Sequence, residues 1–135
     1  MKKILIADDE AINKIIMKEA LSKYGLCDIV SDGLAAVEAY NKSLLNNDPF
    51  DLICLDIMMP ELDGQGALLQ IREMEKQSGL TGSNASKVIM ITALDDPKNI
   101  MQAMVKGECN GYLTKPIDLD ELDNLLTELG FVAQS

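Results

Sequence analysis

The sequence contains no histidine, and this absence excludes several kinds of chemistry at once. Ser-His-Asp and Cys-His nucleophile systems need an imidazole base, and His-ligated zinc sites need an imidazole ligand. Basic residues are also few, since 12 lysines and arginines stand against 22 aspartates and glutamates, for a formal net charge of −10. Proteins that contact nucleic acid or anionic lipid neutralise phosphates with lysine and arginine. We therefore expect no direct contact with nucleic acid and none with a membrane.

Cysteines and long apolar runs are equally scarce. The three cysteines lack a C-x-x-C spacing, and Cys54 stands inside an apolar run, where we predict a buried thiol. This usage fits a reducing cytosol. The apolar run after Met1-Lys2-Lys3 is too short for a signal peptide, and no window approaches the roughly 18 apolar residues of a membrane span. We therefore expect a cytoplasmic protein.

Five short apolar runs alternate along the chain with helical patterns. Continuous apolarity within a strand indicates burial on both faces, as in a parallel sheet covered by helices. We therefore predict an α/β fold, a three-layer sandwich around a five-stranded parallel sheet. The expected strand order is the flavodoxin-like one, 2-1-3-4-5, in which strands one and three are neighbours. At 135 residues we expect one domain over residues 1–130, followed by a short C-terminal tail, 131–135. The five predicted strands are Ile4–Ala7, Ile29–Val30, Leu52–Leu55, Val88–Ile91 and Tyr112–Leu113.

The helical patterns predict which side chains face the core. In the fifth helix, Asp118 is an expected N-cap and Gly130 an expected stop. The predicted stripes are Ile12, Ile15, Ile16, Glu19, Ala20 and Lys23 in the first helix; Leu34, Val37, Ala39 and Tyr40 in the second; Leu68, Leu69, Ile71 and Met74 in the third; Ile100, Met101, Met104 and Val105 in the fourth; and Leu119, Leu122, Leu125, Leu126 and Leu129 in the fifth.

Polar residues stand where the predicted strands end. In an open parallel sheet, binding sites form at these carboxyl ends, so the side chains are expected to meet. Crowded carboxylates repel one another, and Mg²⁺ with its preference for oxygen ligands relieves that repulsion. An acidic group before a helix is equally explained by its favourable interaction with the helix dipole. The full set of strand-end residues, however, indicates a binding site more specifically than any one of them. The strand-end residues are Asp8, Asp9, Asp56, Thr92, Lys115 and Pro116.

Four motifs carry a resemblance to a known family. The sequence contains I-L-I-A-D-D-E, L-D-I-M-M-P-E-L-D-G, I-M-I-T-A and G-Y-L-T-K-P in this order. Over essentially the whole chain it resembles the receiver domain of two-component response regulators, in the stand-alone, single-domain form. The resemblance implies a phosphoacceptor that takes a phosphoryl group from a phosphohistidine. That histidine must belong to another protein.

The resemblance also implies a role for each motif residue. Asp56 would be the phosphoacceptor. Mg²⁺ would be bound by Asp9 and Asp56, by Asp8 through water and by the Met58 backbone carbonyl. The expected phosphoryl-binding and switch residues are Thr92, Ala93, Lys115 and Tyr112, and Pro116 is expected to follow a cis peptide bond.

Partners and output follow from the same resemblance. The expected donor is a sensor histidine kinase or a histidine phosphotransfer protein, and the expected receiver of the signal is a downstream protein target. Phosphorylation would change the face formed by the fourth helix, fifth strand and fifth helix, in a monomer or a phosphorylation-induced homodimer. The chain would catalyse only its own phosphoryl transfer and dephosphorylation. The alternative for Tyr112 is a packing role instead of a switch role, in which this strand residue packs its ring on the fourth helix.

Three other functions remain open at this point. A phosphatase of the haloacid-dehalogenase type needs a carboxylate two residues past its nucleophile, and position 58 is methionine. A flavodoxin-like electron carrier needs a phosphate loop after the first strand, where Asp8-Asp9-Glu10 would repel a phosphate. A scaffold that uses the fold without phosphorylation is the third alternative, against which the complete acceptor set argues.

Two departures from the family pattern carry expectations of their own. Gly107 stands one place earlier than the family's usual glycine, which predicts an altered shape at the end of the fourth helix. Met58 and Leu94 are apolar where many relatives have polar residues. We hypothesise that they restrict the attacking water and prolong the phosphorylated state.

Overall fold

The fold is a five-stranded parallel sheet with helices on both faces, as a computed structural model of the chain shows. The structure describes residues 2–93, 98, 101–102, 104 and 109–134. Its strands are β1 Lys3–Ala7, β2 Leu26–Val30, β3 Leu52–Asp56, β4 Lys87–Thr92 and β5 Gly111–Thr114. Its helices are α1 Ala11–Leu21, α2 Gly33–Leu45, α3 Gly64–Gln77, a short 3₁₀ turn Gly82–Asn84, and α4 Leu119–Glu128.

The order of the strands is β2-β1-β3-β4-β5, and every pair is parallel. The predicted flavodoxin-like order is therefore confirmed. In the central pair, Ile4 of β1 lies opposite Leu52 of β3, and Ala7 lies opposite Leu55. This register brings the carboxyl ends of β1 and β3 together at one edge of the sheet.

Alternate residues of each strand enter two separate hydrophobic cores. On one face, Leu5, Ile53 and Met90 pack with α2 and α3. On the other face, Ile6, Cys54 and Ile91 pack with α1 and α4. Because helices cover both faces, the middle strand β3 is buried over its whole length, which explains the continuous apolar run in its sequence. Cys54 is fully buried, as predicted.

The predicted core stripe of α1 was wrong. Its buried residues are Met17 and Leu21, while Ile12 and Ile15 are 72% and 66% exposed and Ile16 is also exposed. Two rows of residues with helical spacing run along this helix. The row that includes Met17 and Leu21 faces the sheet, although it is more polar than the row that includes the isoleucines. The first helix therefore displays isoleucines to solvent. This surface is called the α1 isoleucine patch below.

The other described helices match their predicted stripes more closely. Each has one predicted apolar residue that is exposed instead, namely Leu34 in α2, Leu69 in α3 and Leu119 in α4. The Asp118 side chain accepts hydrogen bonds from the backbone N–H groups of residues 120 and 121, so the expected N-cap of α4 is present. Residues 131–134 form no regular secondary structure, but Phe131 is buried in the core beside α4.

The fourth predicted helix lies largely outside the described residues. Of its predicted stripe, only Met101 and Met104 are described, and both are exposed. Leu94 and Gly107 also lie outside the described residues. Among the helices that the structure describes, none is long and apolar enough to cross a membrane.

Candidate functional site

The predicted site residues converge at the carboxyl edge of the sheet. Asp8 follows β1, Asp56 is the last residue of β3, and Thr92 is the last residue of β4. Lys115 follows β5, and its backbone N–H donates to the Thr92 carbonyl oxygen over 2.8 Å. Strands that are far apart in sequence thus bring their terminal polar groups to one place.

Asp56 is a buried carboxylate with few hydrogen-bond donors. Its Oδ2 accepts from Lys115 Nζ over 2.9 Å, and its Oδ1 accepts from the Met58 backbone N–H over 3.2 Å. The pKa of Asp56 is raised to about 6, chiefly because burial disfavours the charged form. The bonds from Lys115 and Met58 lower this pKa, and the neighbouring Asp8 charge adds to the rise. This carboxylate is therefore poorly stabilised as an anion by the protein alone.

Lys115 is shared among three carboxylates. Its Nζ lies 2.8 Å from Glu10 Oε1, 2.9 Å from Asp56 Oδ2 and 3.3 Å from Asp8 Oδ2. Burial by itself lowers the pKa of this ammonium, but its bonds to Glu10 and Asp56 outweigh burial, so the pKa lies above the ordinary value. The peptide bond between Lys115 and Pro116 is cis, the conformation that the resemblance implied.

Asp8 shows that this set of charges is incomplete. Its Oδ1 accepts from the Glu10 backbone N–H over 2.9 Å, but its buried Oδ2 accepts no hydrogen bond from any described residue and has only the Lys115 ammonium at 3.3 Å. One ligand atom each from Asp8, Asp9, Glu10 and Asp56 lies within 4.8 Å of the others. Oxygen ligands at such spacing suit a hard divalent cation, and a cation would supply the positive charge that these carboxylates lack. The residues present therefore fit Mg²⁺.

A glycine allows the chain after β3 to turn tightly beside this site. A Cβ on Gly64 would lie 2.3 Å from the Asp56 carbonyl oxygen, so any side chain would displace the end of the strand. The Gly64 N–H donates to the Ile57 carbonyl oxygen, and Asp63 caps α3 by accepting from the Gly66 N–H. The start of α3 is thus held directly against the end of β3.

The family model for the response regulator receiver domain matches residues 4–127. The chain belongs to this family. Receiver domains are phosphoacceptors of two-component signalling and phosphorelay pathways rather than conventional enzymes, so the phosphatase and electron-carrier alternatives are not supported.

Relatives agree with this assignment. The chemotaxis protein CheY of Halobacterium salinarum is 30% identical over 131 residues, which cover 93% of this chain and 98% of that protein. By contrast, the chain spans only 10%, 20% and 54% of the length of three other curated relatives, which are larger proteins.

Solved receiver domains have the same fold. The receiver domain of Saccharomyces cerevisiae Ssk1, in complex with the histidine phosphotransfer protein Ypd1, is 31% identical with a TM-score of 0.80, over 96% of this chain and 88% of that one. The receiver domain of the Arabidopsis thaliana histidine kinase CKI1, complexed with Mg²⁺ and BeF₃⁻, is 25% identical with a TM-score of 0.82, over 95% and 89% of the two chains.

The remaining predicted residues of the receiver domain differ in their exposure. Thr92 is fully buried, whereas the next residue, Ala93, is exposed. Asp9 and the Met58 side chain are exposed at the mouth of the site. Tyr112 lies on β5 opposite Met90 and is exposed.

One member of the cluster was missed by the sequence interpretation. Glu10 is absent from the predicted site residues, but its side chain pairs with Lys115, which holds the pKa of the Glu10 carboxyl below its ordinary value. An acidic residue before a helix has a sufficient local explanation in the helix dipole. A partner 105 residues away leaves no signal in that local pattern.

Proposed function

We propose that this receiver domain takes a phosphoryl group from a phosphohistidine onto Asp56 and signals through a protein-binding face that phosphorylation changes. One observation carries the proposal. A buried Asp56 carboxylate at the end of the middle strand is bonded to Lys115 and lies beside Asp8, whose buried Oδ2 accepts no hydrogen bond from any described residue and shares the single Lys115 charge. Such a site is short of positive charge, as a phosphoryl acceptor that works with a divalent cation should be.

The transfer is a displacement at phosphorus. A carboxylate oxygen of Asp56 forms the new P–O bond as the P–N bond to the donor histidine breaks, and the electron pair of that bond returns to the imidazole. Catalysis of such a step is mostly positioning and neutralisation of charge. The ammonium of Lys115 would offset negative charge on the phosphoryl oxygens, and Thr92 and the backbone at Ala93 would bind them.

Asp8, Asp9 and Asp56 would hold Mg²⁺, together with the Met58 backbone carbonyl. When bound, the cation neutralises the phosphoryl oxygens and the crowded carboxylates. The solved CKI1 receiver domain was crystallised with Mg²⁺, which supports the same cofactor for this chain.

We place the donor's docking surface on the α1 isoleucine patch. Helix α1 starts two residues after Asp9, so Ile12, Ile15 and Ile16 border the acidic edge. A donor histidine must come within bonding distance of Asp56, and its protein must therefore contact the surfaces beside this edge. Exposed apolar clusters of this kind are typical of protein interfaces. A histidine phosphotransfer protein is the proposed partner, as in the Ypd1 complex.

The proposed output surface is formed by strand β5, by helix α4, which is the fifth predicted helix, and by the fourth predicted helix, most of which lies outside the described residues. A phosphoryl group adds about two negative charges beside Thr92, which Thr92 can approach. Tyr112 would then turn toward the space that Thr92 leaves, and the population of output conformations would shift. Exposed Met101, Met104 and Tyr112 supply apolar contact area for a downstream protein or for a second copy of this chain.

The lifetime of the phosphorylated state is a finer part of the proposal. We infer that the Met58 side chain, which is exposed, would restrict the attacking water and slow hydrolysis of the acyl phosphate. A half-life of seconds in purified protein with Mg²⁺ would contradict this part alone.

The central test is incubation with acetyl phosphate and Mg²⁺, followed by intact-mass measurement. Phosphorylation adds about 80 Da. We expect this gain in the wild type and its absence in Asp56→Ala and in samples treated with EDTA. A wild type that gains no mass, or an Asp56→Ala variant that still gains it, would contradict the proposal.

The docking surface has its own test. Ile15→Asp should lose at least about tenfold in the rate of transfer from a phosphorylated histidine phosphotransfer protein, because a charge replaces a central apolar contact. Its phosphorylation by acetyl phosphate should be unchanged. Leu45→Asp is the matched control, since Leu45 is more exposed than Ile15 but lies at the far end of α2. Equal effects of the two substitutions would contradict the assignment of this face.

A further inference from the structure

We propose that Glu10 is a positioning residue that holds the Lys115 ammonium in the unphosphorylated chain and releases it to the incoming phosphoryl group. The inference rests on the proposed role of Asp56 as phosphoacceptor. Glu10 lies next to the proposed phosphoacceptor site, and no role in phosphoryl transfer has been assigned to it above.

The Lys115 ammonium is already engaged by carboxylates. Its Nζ donates hydrogen bonds to Glu10 Oε1 over 2.8 Å and to Asp56 Oδ2 over 2.9 Å. Asp8 Oδ2 lies 3.3 Å from the same Nζ, as an ion pair without a hydrogen bond among the described residues. A phosphoryl oxygen that is to bind Lys115 must therefore compete with these carboxylates.

Exposure decides which carboxylate leaves. The Glu10 side chain is 60% exposed, whereas those of Asp8 and Asp56 are only 2% and 3% exposed. A displaced Glu10 carboxylate regains hydrogen bonds from water, but a displaced Asp8 would remain buried without a partner. Glu10 is thus the partner that Lys115 loses at the lowest cost.

The backbone of Glu10 is fixed independently of its side chain. Glu10 is the N-cap residue of α1, its side chain makes no capping hydrogen bond, and its N–H donates to Asp8 Oδ1. The Glu10 side chain also bonds the Asn13 side chain in the first turn, and a glutamine retains an oxygen and an amide for that bond, so Glu10→Gln leaves the start of α1 intact. Glu10→Gln keeps the length and the acceptor oxygen of the side chain and removes only its charge.

This arrangement predicts two effects of opposite sign. Glu10 adds a fourth negative charge to the cluster, so Glu10→Gln should weaken Mg²⁺ binding about fivefold. Glu10 also keeps Lys115 from the phosphoryl group, so at saturating Mg²⁺ the same substitution should raise the rate of phosphoryl uptake about threefold. A residue with a merely structural role would lower both quantities when replaced.

The experiment measures both quantities in the wild type, Glu10→Gln and Glu38→Gln. Glu38 is exposed on α2, so its substitution removes the same charge away from the site. Isothermal titration calorimetry with MgCl₂ gives the affinity, and the time course of the gain of about 80 Da from acetyl phosphate gives the rate.

Weaker Mg²⁺ binding and faster saturated uptake in Glu10→Gln alone would support the inference. Unchanged values, a decrease in both, or the same change in Glu38→Gln would overturn it. If the wild type binds no Mg²⁺ and gains no mass, the proposed function itself fails. If the wild type binds Mg²⁺ and gains the mass but Glu10→Gln behaves like the wild type, only the inference about Glu10 is wrong.

Discussion

The two ends of the sheet treat buried charge in opposite ways. At the carboxyl end, one ammonium from Lys115 lies within 3.3 Å of three carboxylates, and a buried oxygen of Asp8 has no hydrogen bond. At the amino end, Arg72 and Glu75 form a buried ion pair with an N–O distance of 2.6 Å. The buried carboxylates at the carboxyl end share too few positively charged partners, whereas the buried charges at the amino end are directly paired.

The amino-end pair belongs to a larger network. Arg72 also donates to the Ser86 carbonyl over 2.9 Å and to Asn110 Oδ1 over 3.1 Å. Glu75 Oε2 accepts from the Tyr40 hydroxyl over 2.8 Å and from the Ser86 N–H over 2.7 Å. The network thereby connects α2 and α3 to the segments that enter β4 and β5.

The contrast separates stability from function. A buried polar network whose members are all bonded fixes the positions of its elements. A cluster of like charges costs stability until a ligand arrives, and proteins commonly retain that cost at functional sites. We therefore expect substitutions at the amino end to unfold the domain, and substitutions at the carboxyl end to stabilise it while impairing ligand binding.

The largest expected effect is that of Arg72→Met. This substitution leaves the Glu75 charge buried without its partner, which should lower the free energy of unfolding by about 3–5 kcal/mol. Urea denaturation measures the change. The double variant Arg72→Met/Glu75→Gln should recover at least about 1 kcal/mol, since it removes the unpaired charge.

Phosphorylation provides the control for this prediction. In the folded fraction of Arg72→Met, uptake from acetyl phosphate should be unchanged, because the network lies at the other end of the sheet. A loss of less than about 1 kcal/mol would mean that the pair contributes little, as exposed pairs do.

The opposite end should show an effect of opposite sign. In EDTA, Asp8→Asn should raise the free energy of unfolding by about 1 kcal/mol, because it relieves repulsion around Asp56. With Mg²⁺ at about 100 times its dissociation constant, the wild type should gain about 2.7 kcal/mol and become the more stable protein. Urea denaturation in EDTA and in MgCl₂ tests this reversal of order.

Asp28→Asn is the matched control for Asp8→Asn. Asp28 is exposed on β2, so its substitution should change stability by less than about 0.5 kcal/mol in either buffer. If Asp8→Asn is less stable than the wild type in EDTA, repulsion does not dominate the site.

How much the sequence could predict differs between these two ends. The strands and the polar residues at their ends follow from local signals, since apolar runs mark the strands. The convergence of Asp56 and Lys115 follows once these strands are placed in the flavodoxin-like order. The network at the amino end has no such signal. Arg72 and Asn110 are 38 residues apart, and each taken alone is an ordinary polar residue.

Helix faces show the same limit. In α1 the isoleucines formed the more apolar stripe, so hydrophobicity alone predicted the wrong face. Only the packing of Met17 and Leu21 between β-sheet and α4 decides the orientation. A strongly apolar stripe that faces solvent is better explained by a partner protein than by the core, and the sequence pattern cannot distinguish these two uses.

The smallest expected effect concerns pH and the same crowded end. The pKa of Asp56 in the folded, metal-free protein is raised to about 6, above the ordinary value of 3.8. The folded state therefore binds more protons than the unfolded state between these values, and its stability falls as the pH rises. From pH 5 to pH 7 in EDTA, Asp56 should cost about 1 kcal/mol.

The comparison with Asp56→Asn isolates this contribution, because other groups titrate alike in both proteins. The wild type should lose stability relative to Asp56→Asn over this range, as measured by urea denaturation at each pH. Mg²⁺ should abolish the difference in slope, since a bound cation favours the ionised carboxylate. Parallel pH profiles in EDTA would show that Lys115 already neutralises Asp56, and the two ends of the sheet would then differ less than their geometry indicates.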